Sequence, residues 1–234
     1  LNTSVLSDGN TNWNTDPDLE TALGITGTLN ATSIEFDFMS ISNQIQFNYI
    51  FASEEYNPPY ECDFTDSFAF LITETGSGNP YTNIAIVPGT ATAVNSVNVH
   101  SDLTPYCGPA NAQYFEGYNI GNTNYNGRTT VMTATATIQP NVLYHIKLVI
   151  ADQTYFNLDS AVFIEGNSFN ATVDLGEDVT TCASSLTLNG DVGNATATYN
   201  WYLNGSLLNG QTQPVLNANQ SGTYRLVVQI PLGN

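Results

Sequence analysis

Six acidic residues stand at the ends of apolar runs. Glu54 and Glu55 follow Ile45–Phe51, Asp63 and Asp66 precede Phe68–Ile72, Asp152 follows Tyr144–Ile150, and Asp159 precedes Ala161–Ile164. If these runs are strands of one sandwich, three loops at one edge bring the carboxylates together. Like charges at close range either hold protons or recruit a cation. Ca²⁺ suits such a set, because it takes roughly 6–8 oxygens from carboxylates, amides and backbone carbonyls. Asn57 and the intervening carbonyls are further donors. The same acids can also cap turns through nearby N–H groups. Their spacing matches neither an EF-hand nor a nonapeptide calcium repeat, so the signal is a constellation rather than a motif.

A second resource is the aromatic content of the loops. Tyr56, Tyr60, Tyr155 and Phe156 flank the same acids, and rings with one apolar and one polar side suit contact with sugars or proteins. Folding back over the sandwich ends is the competing use of such rings. Catalytic signatures are missing: there is no HExxH, GxSxG or Walker loop. Two of the carboxylates would be needed for a glycosidase pair, but cation ligation explains them better. The expectation is a protein that is not an enzyme.

Charge narrows the partners. The 234 residues include 21 acids and 3 bases, for a net charge of −18, yet charged residues make up only 10% of the chain. Asn and Thr, 29 of each, supply the polarity instead. With Arg128, Lys147 and Arg225 as the basic residues, no stripe can track a phosphate backbone, and anionic membrane surfaces are disfavoured too. No apolar run approaches the ~18 residues of a membrane span. The chain opens at Leu1 without a signal peptide, which reads as a mature or excised piece of a longer protein.

The elements that must hold these residues are strands. Period-two alternation runs through Ile34–Phe38, Ile45–Phe51, Phe68–Ile72 and Tyr144–Ile150, with short buried strands at Asn83–Val87 and Ser160–Ile164. Asn, Gly and Pro clusters separate them. Helix is confined to a turn or two over Asp16–Leu23. The expected fold is all-β: an antiparallel β-sandwich of jelly-roll or lectin-like type over 1–169, then a small Ig-like β-sandwich over 172–234, truncated at its C-terminus. In the second, Ser185–Leu188, Thr198–Leu203 and Gly222–Ile230 read as strands, and Asn204-Gly205 as a hairpin turn. Trp201 is expected in its core, and Tyr224 resembles a tyrosine corner.

Several blocks, in order, resemble a known family. They are Phe51-Ala-Ser-Glu-Glu-Tyr56, Asp66-Ser-Phe-Ala-Phe70, Asn83-Ile-Ala-Ile-Val-Pro-Gly-Thr90, the run Tyr125–Ala134, Tyr144-His-Ile-Lys147, Ile150-Ala-Asp152 and Asp159–Glu165. Together they look like the choice-of-anchor L domain of secreted Bacteroidetes surface proteins, over roughly Val5 to Phe169. Val173–Asp178, Cys182, Trp201 and Gly222–Tyr224 are similar to the Ig/PKD-like modules that follow such domains. The resemblance implies an extracellular, cell-surface location, export by the type IX system and continuation into further domains. It also implies an adhesin or ligand-binding role, in some relatives linked to gliding, with a surface glycan or protein as partner. The alternative is a structural filament or spacer built from neighbouring copies. Export implies oxidising surroundings, so Cys62 and Cys107, both in long loops of the first domain, are expected to pair. Cys182 is then left for a partner beyond Asn234.

Overall fold

The computed structural model describes residues 5–7, 9, 13–166, 168, 170–173, 175–193 and 195–229. The first of the chain's two compact units comprises Leu1–Phe38, Gln46–Ala136 and Leu143–Asn170; the second comprises Met39–Ile45, Thr137–Val142 and Ala171–Asn234. Met39–Ile45 and Thr137–Val142, which the sequence assigns to the first domain, bond to each other. Ile138 N–H donates to the Asn43 carbonyl at 2.8 Å, and Asn141 N–H to that of Ser40 at 2.7 Å.

In chain order the elements are α1 (Pro17–Leu23), β1 (Thr28–Met39), β2 (Gln44–Ser53), β3 (Ser67–Glu74), β4 (Thr82–Asn83), β5 (Phe115–Tyr118), β6 (Gly127–Thr129), β7 (Met132–Thr137), β8 (Leu143–Gln153), β9 (Ser160–Ile164) and β10 (Asn170–Thr172). They continue with β11 (Leu186–Asn189), β12 (Thr198–Leu203), β13 (Ser206–Leu207), β14 (Val215–Ala218) and β15 (Tyr224–Gln229). One sheet runs β1-β8-β3-β4, and the other β10-β2-β6-β5 with β7 and β9 also pairing with β2. The protein is all-β, with antiparallel sheets, as the alternation requires.

Strand β3 has both faces covered, and each follows from its alternation. Phe68, Phe70 and Ile72 lie opposite Ile150, Leu148 and Ile146 of β8. Their face meets the aromatic face of β2: Phe47 and Tyr49 each sit 4.9 Å from the Phe70 ring, and Phe51 stacks on Phe68 at 5.1 Å. Such ring pairs add about 0.5–1.5 kcal/mol each beyond their burial. Ala69, Leu71, Val149 and Ala151 line the opposite face and take Leu19 of α1. That helix is only seven residues long, so tertiary packing must hold it. Asp16 caps it by accepting the Leu19 N–H at 2.9 Å, and Gly24 ends it with φ +67°. Lys147, buried on β8, adds ion pairs to Asp16 at 2.7 Å and Asp18 at 2.8 Å.

Two expectations need correction. Within Asn83–Val87 only Asn83 joins a strand, paired with Leu71; Ile84, Ala85 and Val87 are buried in loop structure that turns back at Pro88-Gly89 to a single bridge between Ile86 and Ala93. Ser160–Ile164 forms strand β9 but is not buried: Phe163 and Ile164 are exposed. On β1, the outermost strand of its sheet, Ile34 is 65% and Phe36 39% exposed.

In the second unit β11 pairs with β14, while β12 lies between β13 and β15. Trp201 is fully buried and donates its Nε1–H to the Gln213 carbonyl at 2.9 Å. The Tyr224 hydroxyl donates to the Gln220 carbonyl four residues upstream at 2.9 Å, the contact a tyrosine corner makes. Asn204 and Gly205 have φ +47° and +82°, the left-handed pair that a two-residue turn between β12 and β13 demands.

Candidate functional site

Strand β2 ends in Ser53-Glu54-Glu55, β3 begins just after Asp66, β8 carries Asp152 near its end, and Asp159 precedes β9. Because β2 pairs with β9 and β3 with β8, these ends are drawn together. The Asp159 carbonyl accepts the Glu54 N–H at 3.1 Å, and Leu6 is stitched across both: its N–H donates to Glu54 Oε1 at 3.2 Å and its carbonyl accepts the Asp159 N–H at 3.0 Å.

Glu55 Oε2 is the best-served oxygen of the group. It accepts from the Asp66 N–H at 2.9 Å and from the Ser53 and Ser96 hydroxyls at 3.1 Å each. Even so, burial pushes the Glu55 carboxyl up, against the lowering effect of those donors. Asp66 is raised well above the usual carboxylate range, first by burial, then by the neighbouring charge of Glu55; the Ser160 hydroxyl pulls the other way and the charge of Asp152 adds a smaller rise. Its Oδ2 is buried without a hydrogen-bond partner. Burial pushes Asp152 up to about 6; the Asn30 amide hydrogen-bonds to its Oδ2 and pulls the other way, while the charge of Asp159 adds to the rise. Glu54, Glu55, Asp66 and Asp152 are all buried, and Asp159 is half-buried.

The bases are engaged elsewhere. Arg128 pairs with Glu116 at 2.7 Å, Lys147 with the acids of α1, and Arg225 lies over the Tyr202 ring at 4.1 Å. Asp63 does not join the cluster: it is exposed, because the short 3₁₀ turn Tyr60–Cys62 carries it outward. Asn57 is likewise exposed on the turn after Glu55. Among the described residues no group of three or more His, Cys, Asp or Glu side chains is placed to hold a metal ion.

Of the rings named from sequence, Tyr56 is a core residue rather than a contact ring. It is 1% exposed, donates its hydroxyl to the Val99 carbonyl at 2.9 Å, and packs so closely on Gly127 that a Cβ there would lie 2.5 Å from its own. Tyr60 is 40% and Tyr155 57% exposed, and Phe156 also reaches the surface. Phe64 completes the row: its ring lies 5.8 Å from Tyr60 and 6.0 Å from Tyr155, edge-on to both. The loops that carry the rings also carry the acids, and Ser96 joins the two sets, its one hydroxyl hydrogen shared between the Phe64 carbonyl at 3.0 Å and Glu55 Oε2 at 3.1 Å. The expected disulfide between Cys62 and Cys107 is present, with Cα atoms 5.8 Å apart, and fastens the turn that bears Tyr60. Cys182 is free and exposed.

Sequence reasoning passed over Phe64, Asn30 and Glu61. Phe64 was legible as another loop aromatic beside Asp66. Asn30 sits in β1, far from the acids in sequence, and Glu61 is fully buried, its Oε1 accepting the Tyr118 hydroxyl at 2.7 Å. A separate groove of about 590 Å³ in the second unit, lined by Leu175, Leu188, Ala218 and Tyr224 among others, contains none of the candidate metal- or ligand-binding residues named from sequence.

The profile of the choice-of-anchor L domain matches residues 1–170. The chain belongs to the choice-of-anchor L family. No curated protein and no solved structure matches it. Membership makes this choice-of-anchor L chain a cell-surface module of a secreted protein. None of its described helices is long and apolar enough to cross a membrane.

Proposed function

We propose that the protein is an extracellular adhesin or ligand-binding module that holds a glycan against the ring row Tyr60–Phe64–Tyr155, on loops fastened by Ca²⁺. The observation that carries this reading is the mounting of exposed rings on the loops whose other ends are buried carboxylates. Stacking on sugars needs rings held at fixed angles, and the edge-to-face contacts between them restrict the angles. Buried acids without a basic partner need an outside cation or protons. Asp66 Oδ2, buried and without a partner, supplies the orphan oxygen that a cation would satisfy. Asp152, Asp159 and the side-chain oxygen of Asn30, with the amide turned, would add oxygens of the kind Ca²⁺ takes. The carboxylates must close in around the ion. The hydroxyls that meet a carboxylate in the acid set, Ser53 and Ser96 on Glu55, are fully buried, so binding rather than catalysis is the role inferred. Type IX export, a link to gliding and an Ig/PKD-like second domain belong to the same proposal.

The test is a glycan array probed with the full chain in Ca²⁺ and in EDTA, with Tyr155→Ala and Phe64→Ala alongside. Binding in Ca²⁺ that drops about tenfold in either variant and in EDTA is the expected outcome. Glycan binding indifferent to both ring variants would dismiss the platform. Filaments seen by electron microscopy without glycan binding would favour the spacer reading instead.

A further inference from the structure

We propose that the ring row Tyr60–Phe64–Tyr155 selects glycans bearing a free amine, whose ammonium sits among the rings with Asp63 as its counter-charge; this rests on the row being the glycan site. The angles between the rings are the first support. Phe64 stands at 82° to Tyr60 and 67° to Tyr155, with centroids 5.8 and 6.0 Å apart. Coplanar rings make a flat platform for a sugar face. Rings near right angles make corners, where one compact group meets more than one aromatic face. Those faces carry the negative side of the ring quadrupole, so the group that gains most in a corner is a cation. All three rings are exposed, so an ammonium reaches them from water.

Charge around the row is the second support. The Tyr60 carbonyl accepts N–H groups from both Asp63, at 3.0 Å, and Phe64, at 2.8 Å. A turn closed in this way brings the residues three and four positions on to the side of the first. Asp63 is exposed, and no described residue bonds or pairs with its carboxylate. An unpaired carboxylate beside exposed rings complements an ammonium. The Cys62–Cys107 disulfide fastens the same turn, so the acid and its neighbouring rings keep their places. Anionic sugars meet the reverse. Arg128 and Lys147 are paired with acids, and Arg225 lies over Tyr202 in the second unit, so all three bases are already engaged. The net charge of −18 repels carboxylated or sulfated sugars at long range and draws cationic ones in.

The probes are oligomers of glucosamine and of N-acetylglucosamine, equal in length and linkage, which differ in the free amine. Titration calorimetry uses the full chain in Ca²⁺, in a buffer that keeps the amine protonated, at about 0.15 M salt to hold the screening length to ~8 Å. The glucosamine oligomer should bind about tenfold more tightly than the acetylated one. Asp63→Asn keeps the shape of an exposed side chain and removes one of 21 acids, so the long-range attraction is almost unchanged. It should cut the preference to about threefold, the part that the rings supply alone. Tyr155→Ala should weaken the binding of both oligomers. Equal wild-type affinities that both fall in Tyr155→Ala would keep the row as a glycan site and overturn the amine preference alone. An undiminished preference in Asp63→Asn would reduce the effect to bulk charge attraction and overturn it too. Choline bound more tightly than the glucosamine oligomer would assign the corner to a quaternary ammonium and overturn the glycan amine as its occupant.

Discussion

The Asp66 and Asp152 carboxyls set the acid–base behaviour of the first unit. Asp152 is held up to about 6 from an ordinary value of 3.8, with burial the largest cause. Between those pH values the folded chain keeps a proton that the unfolded chain has released. In EDTA, therefore, this stabilisation is complete below the unfolded value, shrinks as the pH rises and is gone above about 6. Asp66, raised further, acts in the same direction. Calcium bound at the proposed site would reverse the slope, because protons compete with the ion for the same oxygens. Thermal melting between pH 7 and pH 5 should show the first transition rising toward acid in EDTA and falling toward acid in Ca²⁺. Asp66→Asn keeps the shape and removes the charge; it should melt higher than wild type in EDTA at pH 7 and lose the response to Ca²⁺. Slopes of one sign in both solutions would remove the cation from this site.

Helix α1 shows how one element depends on a single buried cation. Its seven residues are too few to be helical alone, and Leu19 gives it one fully buried anchor. Lys147 supplies the second by pairing with Asp16 and Asp18 from the neighbouring strand β8, and those carboxylates hold its ammonium well above the usual lysine range despite the opposing effect of burial. Removing one partner of a fully buried pair costs roughly 3–5 kcal/mol. Asp18 and Glu35 face water here, so Lys147→Met should cost less, about 1–3 kcal/mol. Denaturant titration should show that loss, and amide exchange should show α1 opening first. Unchanged exchange in α1 would mean that Leu19 alone holds the helix. The Asp16 cap and this helix were legible in sequence from Asp16-Pro17 and the Gly24 stop. The pairing with Lys147 was not, because 129 residues separate Lys147 from Asp18.

For the molecule as a whole, a net charge of −18 on a chain with few bases works against compactness through self-repulsion. Raising the salt from about 0.01 M to 0.1 M shortens the screening length from ~30 to ~10 Å and should raise the melting temperature of both units. Calcium should act differently. At a free concentration about 100 times its Kd, one bound ion adds about 2.7 kcal/mol, and only to the unit that holds it. Calorimetry at constant ionic strength should therefore show Ca²⁺ raising one transition and leaving the other in place. Equal shifts of both transitions would reduce the ion's effect to screening.

Much of this protein is written in local pattern. Alternation of two fixes strands, because side chains on a strand must point to opposite faces, and that alone yields the all-β class and most strand positions. Asn204-Gly205, Trp201 and Tyr224 declare their turn, core and corner for equally local reasons. The same pattern says which residues share a face but not what covers it. It therefore could not tell that Ile34 and Phe36 on the outermost strand stay partly exposed while Phe68 and Phe70 on β3 are sealed. Nor does loop membership settle exposure: Tyr56 and Tyr60 stand four residues apart, yet one fills the core against Gly127 and the other faces water. The meeting of Glu55 with Asp66, the exclusion of Asp63, and the approach of Asn30 to Asp152 across 122 residues are products of strand pairing. Such long-range neighbours are chosen by the packing of two sheets, and only the tertiary structure makes that choice.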